Sequence, residues 1–339
     1  MAADPQITRK AALEVARRGA VRLALLVQKS GKFIYRYDRR KKPRPAPDYN
    51  ALRHCGAVWS MLDTVGTELP AVTAAADRAI DFLLAEMVHP VPQVDGARGV
   101  VDNRSFKIGG NGLALLALLE RHARRPDDRL ISEATAFGRY IVSEQQDDGD
   151  FIHARVFETY RVRPFRSNYY TGEAMFGLVR LFEATGDATF LDAVVRAEET
   201  LGPRDYGVPE HSHWMLYALD ALHVHRPEPA LLEHAARIAR RIVDEPGYRD
   251  RRQGTPVACR SEGLTAYLRL HTRAGGDTDL AADVLSTLRE NLLLQLTWRT
   301  PKGDFHGGDE DNEIRIDHIQ HNISSYLGYS RLPDDLLAG

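Results

Sequence analysis

The fold of this chain follows from two segments, Gly112-Leu-Ala-Leu-Leu-Ala-Leu-Leu119 and Ala174-Met-Phe-Gly-Leu-Val-Arg-Leu-Phe182. Both are apolar on most sides and rich in small residues, which predicts helices that pack against neighbours all round. The segment 233–241, Glu-His-Ala-Ala-Arg-Ile-Ala-Arg-Arg, confines its apolar residues to one stripe, as a helix with one face in water does. The sequence therefore predicts two classes of helix, one internal and one peripheral.

Apolar residues recur at helical spacing along nearly the whole chain. Peripheral and internal helices alternate, and Gly-Asp pairs such as Gly186-Asp187 supply a stop for one helix and a start for the next. The predicted helices are 8–28, 50–64, 72–87, 109–123, 128–145, 170–185, 189–200, 212–224, 229–244, 260–274, 279–296 and 317–328. An all-α domain of twelve helices is therefore expected.

The links between these helices alternate in length. Short links lie near 124–127, 186–188, 225–228 and 275–278, and long ones span 29–49, 88–108, 146–169 and 297–316. Short links join neighbouring helix ends on one face, so the long links gather on the opposite face, where binding and catalytic groups are usually found. We therefore expect six hairpins in two concentric rings, forming a single domain over residues 1–339 with its functional end at the long loops.

A weak repeat follows three of the odd-numbered helices. Each copy is a Gly turn that ends in a Phe: residues 28–33, 146–151 and 301–305. The first two copies continue as β-like runs, at 34–37 and 152–156. Small β-hairpins on the long-loop face are the expectation, and three unrelated turns are the alternative.

Polar or aromatic residues precede the apolar run of every even-numbered helix. One anchor can be chosen from each, and successive anchors are 40–62 residues apart, the length of one helical hairpin with its loops. These anchors are His54, Asn111, Glu173, His213, Glu262 and Asp317. The sequence predicts that they ring one axial cavity. The other candidate substrate-binding residues are Arg53, Lys107, Tyr169, Tyr170, His211, Trp214, Arg260, Gln320 and His321.

At these residues the chain resembles the six-hairpin (α/α)6 toroid proteins, which include many glycoside hydrolases, polysaccharide lyases and sugar epimerases. The resemblance rests on the helix count, the loop asymmetry and two short motifs, Tyr170-Thr-Gly-Glu173 and Arg260-Ser-Glu-Gly263. The resemblance implies a carbohydrate substrate. The turn at 146–151 also resembles one repeated in terpenoid cyclases, but the acidic DxDD and DDxxD motifs of those enzymes are absent from this sequence.

Three carboxyl groups are the candidate catalytic residues. Glycoside hydrolysis uses two carboxyl groups, one as acid and one as base or nucleophile, and we expect Asp317 with Glu173, then Glu262, in these roles. Each also has a structural explanation: Asp317 as a helix cap, Glu173 as a partner of first-turn amides or an Arg, and Glu262 as a partner of Arg260. A glycoside hydrolase is the first hypothesis. A lyase, a sugar epimerase, a terpenoid- or lanthionine-cyclase-like enzyme and a non-catalytic binding protein remain alternatives.

The histidines also permit a metal site. His211 and His213, with His54, His306 or His321, could supply imidazoles to zinc, but their spacing matches no common ligand pattern. Cys55 and Cys259 with a histidine suggest the zinc site of lanthionine cyclases, whose Cys-His-Gly motif is absent. Satisfied or substrate-binding histidines are favoured, and neither a cofactor nor a required metal is expected.

Composition limits the possible partners. Lys and Arg total 45 against 47 Asp and Glu, so bulk charge does not favour nucleic acid. No apolar run approaches the roughly 18 residues that span a bilayer, and the first residues lack the order of a signal peptide. We expect a cytoplasmic protein with two reduced thiols, and its oligomeric state is left open.

Overall fold

The computed structural model describes residues 7–64 and 69–337, and the helices in this part of the chain match the predicted ones closely. A final α-helix of four residues and two short 3-10 helices, Gly202–Arg204 and Pro246–Tyr248, are additional. The helices are α1 Arg9–Leu26, α2 Ala51–Thr64, α3 Pro70–Glu86, α4 Ile108–Arg124, α5 Asp128–Ser143, α6 Tyr170–Thr185, α7 Ala188–Leu201, α8 His213–His225, α9 Pro229–Asp244, α10 Gly254–Ala274, α11 Thr278–Leu296, α12 Ile316–Ser330 and α13 Asp334–Leu337.

The even-numbered helices form a closed inner ring. Each packs on the next, from α2 through α4, α6, α8 and α10 to α12, and α12 packs back on α2. Helices α1, α3, α5, α7, α9 and α11 lie outside this ring, and each packs on at least one inner helix. Burial agrees, since α4 is buried along most of its length whereas α9 buries one stripe. The predicted (α/α)6 toroid, with even helices inside, is confirmed.

Small residues set how closely two inner helices approach. A Cβ added at Gly112 of α4 would lie 2.3 Å from the backbone oxygen of Glu173 in α6. Gly177 faces the same contact from α6, where an added Cβ would lie 2.8 Å from the Gly112 oxygen. Side chains at these two positions would push the helices apart, so the glycines fix the inner-ring spacing here.

One helix start differs from the prediction in a way that matters for the site. α10 begins at Gly254, not near 260, because Pro256 lies in its first turn, where a missing N–H costs nothing. The early start places Cys259 and Glu262 on the same helix, one turn apart.

The strands form two small sheets at the long-loop end. They are β1 Arg36–Asp38, β2 Val88–Pro90, β3 Arg98–Asp102, β4 Ser105–Lys107, β5 Ala154–Val156 and β6 Glu313–Arg315. β1 pairs with β6, and β2, β3, β4 and β5 form an antiparallel sheet in that order. The predicted runs at 34–37 and 152–156 thus contribute β1 and β5, but they pair with distant strands and so tie separate hairpins together.

The three predicted Gly turns share one conformation. Gly31, Gly149 and Gly303 all have φ between 79° and 93°, a left-handed region that favours glycine. An antiparallel bridge closes each turn at its Phe, and all three of these Phe side chains are fully buried. The repeat is therefore structural: each turn anchors the end of an outer helix to the core.

The remaining expectations concern membrane-spanning helices, the domain boundary and the location of the protein. Among the described residues, every helix is too short or too polar to cross a lipid bilayer. The closed ring agrees with a single domain. That boundary over residues 1–339 and a cytoplasmic location both stay predictions.

Candidate functional site

Four polar side chains converge at the N-terminal ends of three neighbouring inner helices. α8 contributes His213, its first residue, and α12 contributes His321 from its second turn. Cys259 and Glu262 come from α10. One donor atom of each residue lies within 4.8 Å of the donor atoms of the other three. We refer to these four residues as the donor cluster.

The carboxylate of Glu262 orients His321. Glu262 Oε1 lies 2.7 Å from His321 Nδ1, and Tyr217 donates its hydroxyl proton to Glu262 Oε2 at 3.1 Å. Burial alone lowers the pKa of His321, but the neighbouring Cys259 and Glu262 outweigh it and hold the pKa well above its ordinary value. The structural explanation of Glu262, an ion pair with Arg260, is therefore wrong, since its partners are His321 and Tyr217.

His213 is buried without a hydrogen-bond partner. Its side chain is 2% exposed, and neither ring nitrogen has a partner. Its ring centroid lies 5.5 Å from that of His321 and 5.7 Å from that of Tyr169. Burial, with the charges of His321 and Arg260, holds the pKa of His213 well below its ordinary value. An unpaired buried imidazole costs folding free energy, which points to a functional role.

Asp317 is held by two arginines. Arg315 binds both carboxylate oxygens, at 2.5 and 2.9 Å, and Arg53 Nε lies 3.0 Å from Oδ2. Burial would raise the pKa of Asp317, but these arginines and His318 lower it to about 2. No side chain caps α12, so the cap explanation is wrong. Arg53 also donates to the hydroxyl of Tyr35 and remains half-exposed. Asp317 is a permanent anion whose oxygens are already bound.

Glu173 presents a buried carboxyl group near the donor cluster. It is 5% exposed, and its Oε2 has no hydrogen-bond partner. Burial raises its pKa to about 8, although His321 acts in the opposite direction. The carboxyl group is therefore protonated at neutral pH and can donate a proton or a hydrogen bond.

Arg260 and His211 form part of the rim of the site. The Arg260 guanidinium lies 4.4 Å from the centroid of the Tyr248 ring, and one of its nitrogens lies 3.3 Å from His211 Nδ1. His211 Nε2 in turn lies 3.1 Å from a carboxylate oxygen of Glu245. Both predicted residues are thus at the site, next to the donor cluster.

Three further candidates contact the cluster or its neighbours. Tyr169 is 41% exposed and covers one side of His213, so its ring is available for a ligand. Gln320 is buried, and its Nε2 lies 3.3 Å from His321 Nδ1. Tyr170 is also buried, with its ring against His153.

Three predicted site residues have structural roles instead. His54 turns towards the outer ring, where Nε2 lies 2.9 Å from the Ala79 oxygen of α3 and Nδ1 2.7 Å from the Tyr49 hydroxyl. Asn111 accepts from the Val100 N–H and donates to the Lys107 oxygen, which joins β3 to α4. The Lys107 ammonium is paired with Asp102. The ring of six anchors is therefore wrong at His54 and Asn111, whose side chains serve the scaffold.

Trp214 is also misplaced by the sequence interpretation. It is 3% exposed and packs among Trp59, Tyr217 and His213, with ring centroids 5.0–5.9 Å away. Because the Trp214 ring is so deeply buried, neither of its faces is accessible for stacking on a sugar. Trp59 and Trp214 belong to an aromatic layer beneath the donor cluster.

The sequence interpretation missed the partners of these groups. Cys259 was considered only with Cys55, which is fully buried and outside the donor cluster. The Cys-x-x-Glu spacing of 259–262 was the available signal, and it was hidden by the late predicted start of α10. Tyr217 had no signal, since it lies within an apolar run and only the packing of α8 on α10 brings its hydroxyl to Glu262.

The donor cluster has the composition that zinc prefers, with sulfur, imidazole nitrogen and carboxylate oxygen. An internal contact already satisfies part of the set, since His321 pairs with Glu262. The expectation that no metal is required stays a prediction.

Comparison with known proteins supports the fold. No family model and no curated protein matches this chain. Cellobiose 2-epimerase from Bacillus thermoamylovorans matches with a TM-score of 0.73 and 10% identity over 95% of this chain and 99% of that one. D-mannose isomerase gives 0.71 and 12% over 95% and 97%. The GH76 α-mannanase of Bacteroides thetaiotaomicron gives 0.67 and 10% over 94% and 96%. At these identities the likeness shows the (α/α)6 toroid fold.

Proposed function

We propose that this protein is a carbohydrate-active enzyme that interconverts sugars by moving a proton on the carbon next to a carbonyl group. It would thus be a sugar isomerase or 2-epimerase. The observation that carries the proposal is the unpartnered imidazole of His213, which faces a second imidazole, His321, oriented by Glu262. The similar structures that act as a D-mannose isomerase and a cellobiose 2-epimerase support it.

The reaction needs only acid and base groups. One imidazole removes the proton from C2 of an open-chain aldose, and the C2–H electron pair forms a C1–C2 double bond while the carbonyl oxygen takes a proton from the other imidazole. The enediol then collapses. A proton returned to C1, with loss of the proton of the 2-hydroxyl, gives the ketose, and a proton returned to the opposite face of C2 gives the epimer. No electron acceptor is consumed.

Neighbouring residues suit the binding of a sugar. The half-exposed Arg53 can donate hydrogen bonds to hydroxyl groups, because its guanidinium is fixed by Asp317 and Tyr35. The exposed Tyr169 ring lies beside His213 and can cover one face of the substrate. Asp317 acts here as the group that positions Arg53, and not as the base first expected.

The test is exchange of the C2 proton with solvent. D-mannose, D-glucose and cellobiose are incubated with the protein in D2O, and proton NMR follows loss of the C2 signal and formation of ketose or epimer. His213→Asn and His321→Asn should each lower the rate by about 10²–10⁴-fold. His225→Asn is the matched control, because His225 ends the same helix as His213, at the opposite face, and pairs there with Glu183.

Two results would contradict the proposal. One is the absence of exchange with all three sugars in folded protein. The other is exchange that persists within a few fold in both variants of the donor cluster. Circular dichroism of each variant shows whether the fold is intact.

A glycoside hydrolase is a second candidate, favoured by the protonated carboxyl group of Glu173. A buried acid with a pKa of about 8 matches the proton donor that glycosidic cleavage requires. The predicted partner, Asp317, is less suited to be its base, because both oxygens are bound by arginine. Release of reducing ends from α-mannan, abolished by Glu173→Gln, would favour this candidate over the isomerase. The lyase, cyclase-like and binding-protein alternatives stay predictions.

A further inference from the structure

We propose that His213, Cys259, Glu262 and His321 together bind one Zn²⁺ ion, and that bound zinc inhibits the enzyme. Zinc binding stands on the donor cluster alone, whereas inhibition rests on the proposed function, because the same two imidazoles would transfer the proton. Zinc here is an inhibitory ligand and is required neither for the fold nor for turnover.

The donor atoms of the cluster lie close enough together to bind one metal ion. Zinc lies about 2.0–2.3 Å from nitrogen, oxygen and sulfur ligands, so four tetrahedral donors are about 3.3–3.8 Å apart. The four donor atoms already lie within 4.8 Å of one another. Contraction of about 1–1.5 Å at most therefore completes the site, and the donors lie on three packed inner helices that constrain them.

His213 provides a second, independent observation. A side chain that is 2% exposed with both ring nitrogens unpartnered is an incomplete interaction in the structure. A metal ion would complete it. His213 is the first residue of α8, so its position is fixed by the Ser212 cap, which accepts from the Met215 N–H. The unpaired imidazole therefore cannot easily turn towards another partner.

Charge also favours a divalent cation. When zinc binds, the Cys259 thiol and the His321 imidazolium each release a proton to solvent, and Glu262 binds as a carboxylate. These two negative charges balance the double positive charge of the ion, so metal binding adds no net charge to the buried site. The hydrogen bond from Tyr217 to Glu262 Oε2 leaves Oε1 as the ligand oxygen and keeps the carboxylate in place.

Cobalt substitution tests binding without any measurement of activity. Titration of metal-free protein with Co²⁺ should produce thiolate-to-cobalt charge-transfer absorption that saturates at one equivalent, and one equivalent of Zn²⁺ should abolish it. Cys259→Ser should lose this absorption. Cys55→Ser is the matched control and should keep it, because Cys55 is buried outside the donor cluster.

Two more variants distinguish a residue that binds the metal from a residue that only positions a ligand. His213→Asn should weaken Zn²⁺ binding, measured by competition with a chromophoric chelator, by at least about 10-fold. Tyr217→Phe, which removes only the hydroxyl that holds Glu262, should weaken it by about 10–100-fold while the cobalt–thiolate absorption remains. Thermal unfolding of each variant without metal shows whether it folds.

The outcomes are distinct. Absence of charge-transfer absorption in the wild-type protein, or its persistence in folded Cys259→Ser, would overturn the zinc site. If the site is present, Zn²⁺ should stop C2-proton exchange at one equivalent, and a chelator should restore it. Exchange that continues in fully zinc-loaded protein would overturn the inhibition and the role of the imidazoles, but not the metal site.

Discussion

Acid should destabilise this protein in part through the buried histidine His54. Its side chain is fully buried, and both ring nitrogens are used: one bonds to the Ala79 oxygen and the other to the Tyr49 hydroxyl. The Tyr49 hydroxyl also accepts from the Phe33 N–H at 3.0 Å. A neutral imidazole satisfies this arrangement, since Nε2–H donates to the carbonyl and Nδ1 accepts from the hydroxyl. A second ring proton would leave the Tyr49 proton without an acceptor.

The size of the effect follows from proton linkage. Burial lowers the pKa of His54 from 6.5 to about 4. Below pH 6.5 the unfolded chain therefore binds a proton that the folded protein does not, and stability falls as the pH decreases from 6.5 towards 4. At about pH 4.5 the loss at this one residue is about 2–3 kcal/mol relative to about pH 7.5, because a pKa difference of one corresponds to a little over 1 kcal/mol.

Urea unfolding of the wild type and His54→Gln at these two pH values measures the effect. Glutamine keeps a donor near the Ala79 oxygen but cannot titrate. The variant should be less stable at about pH 7.5, and its deficit should shrink by about 2–3 kcal/mol at about pH 4.5. Other groups titrate equally in both proteins and cancel in this difference. A deficit that is the same at both pH values would refute the reasoning.

Three other changes test the fold and the site, each by urea or thermal unfolding. Gly112→Ala should destabilise the protein by about 1–3 kcal/mol, since the added Cβ would lie 2.3 Å from the α6 backbone. Gly110→Ala is the control and should be neutral or stabilising, because the atom nearest to its added Cβ lies at 3.4 Å. Equal effects of the two substitutions would contradict the close helix contact. Asp317→Asn should cost about 2–3 kcal/mol, because Arg53 and Arg315 lose the carboxylate that they share. No loss would show that these pairs are not formed. Phe151→Ala should cost about 3–5 kcal/mol if the Gly turn anchors its outer helix in the core; a cost typical of a surface residue would disprove the anchor.

The predicted helices needed only local information. Apolar spacing, Gly stops and Asp starts are properties of neighbouring residues, so α7, which begins after Asp187 with the Asp side chain bonded to the Thr189 N–H, could be located from its sequence alone. The inner and outer classes of helix could also be distinguished, because a helix that is buried on all sides lacks the polar face of a helix at the surface. Hence the order of helices and the ring arrangement could be predicted from the sequence alone, as could the end of the toroid that carries the candidate site.

The identities of the site residues were only partly accessible. A polar residue at the start of an inner helix can turn inwards or outwards, and sequence position does not distinguish the two. His54 turns to α3 and Tyr49, whereas His213 turns to the axis and finds no partner. Both were predicted to line the cavity on identical grounds.

What the sequence alone determined is therefore the toroid and the end of it that carries the site, because these depend on periodicity and loop length. What only the tertiary structure decided is which side chains meet. Cys259 and His321 are 62 positions apart in the sequence, and the orientation of His321 depends on Glu262, which depends in turn on a hydroxyl from α8. Hydrogen bonds and charges act over a few ångströms, so the charge state of each group is set by neighbours that only the packing of separate helices brings into contact.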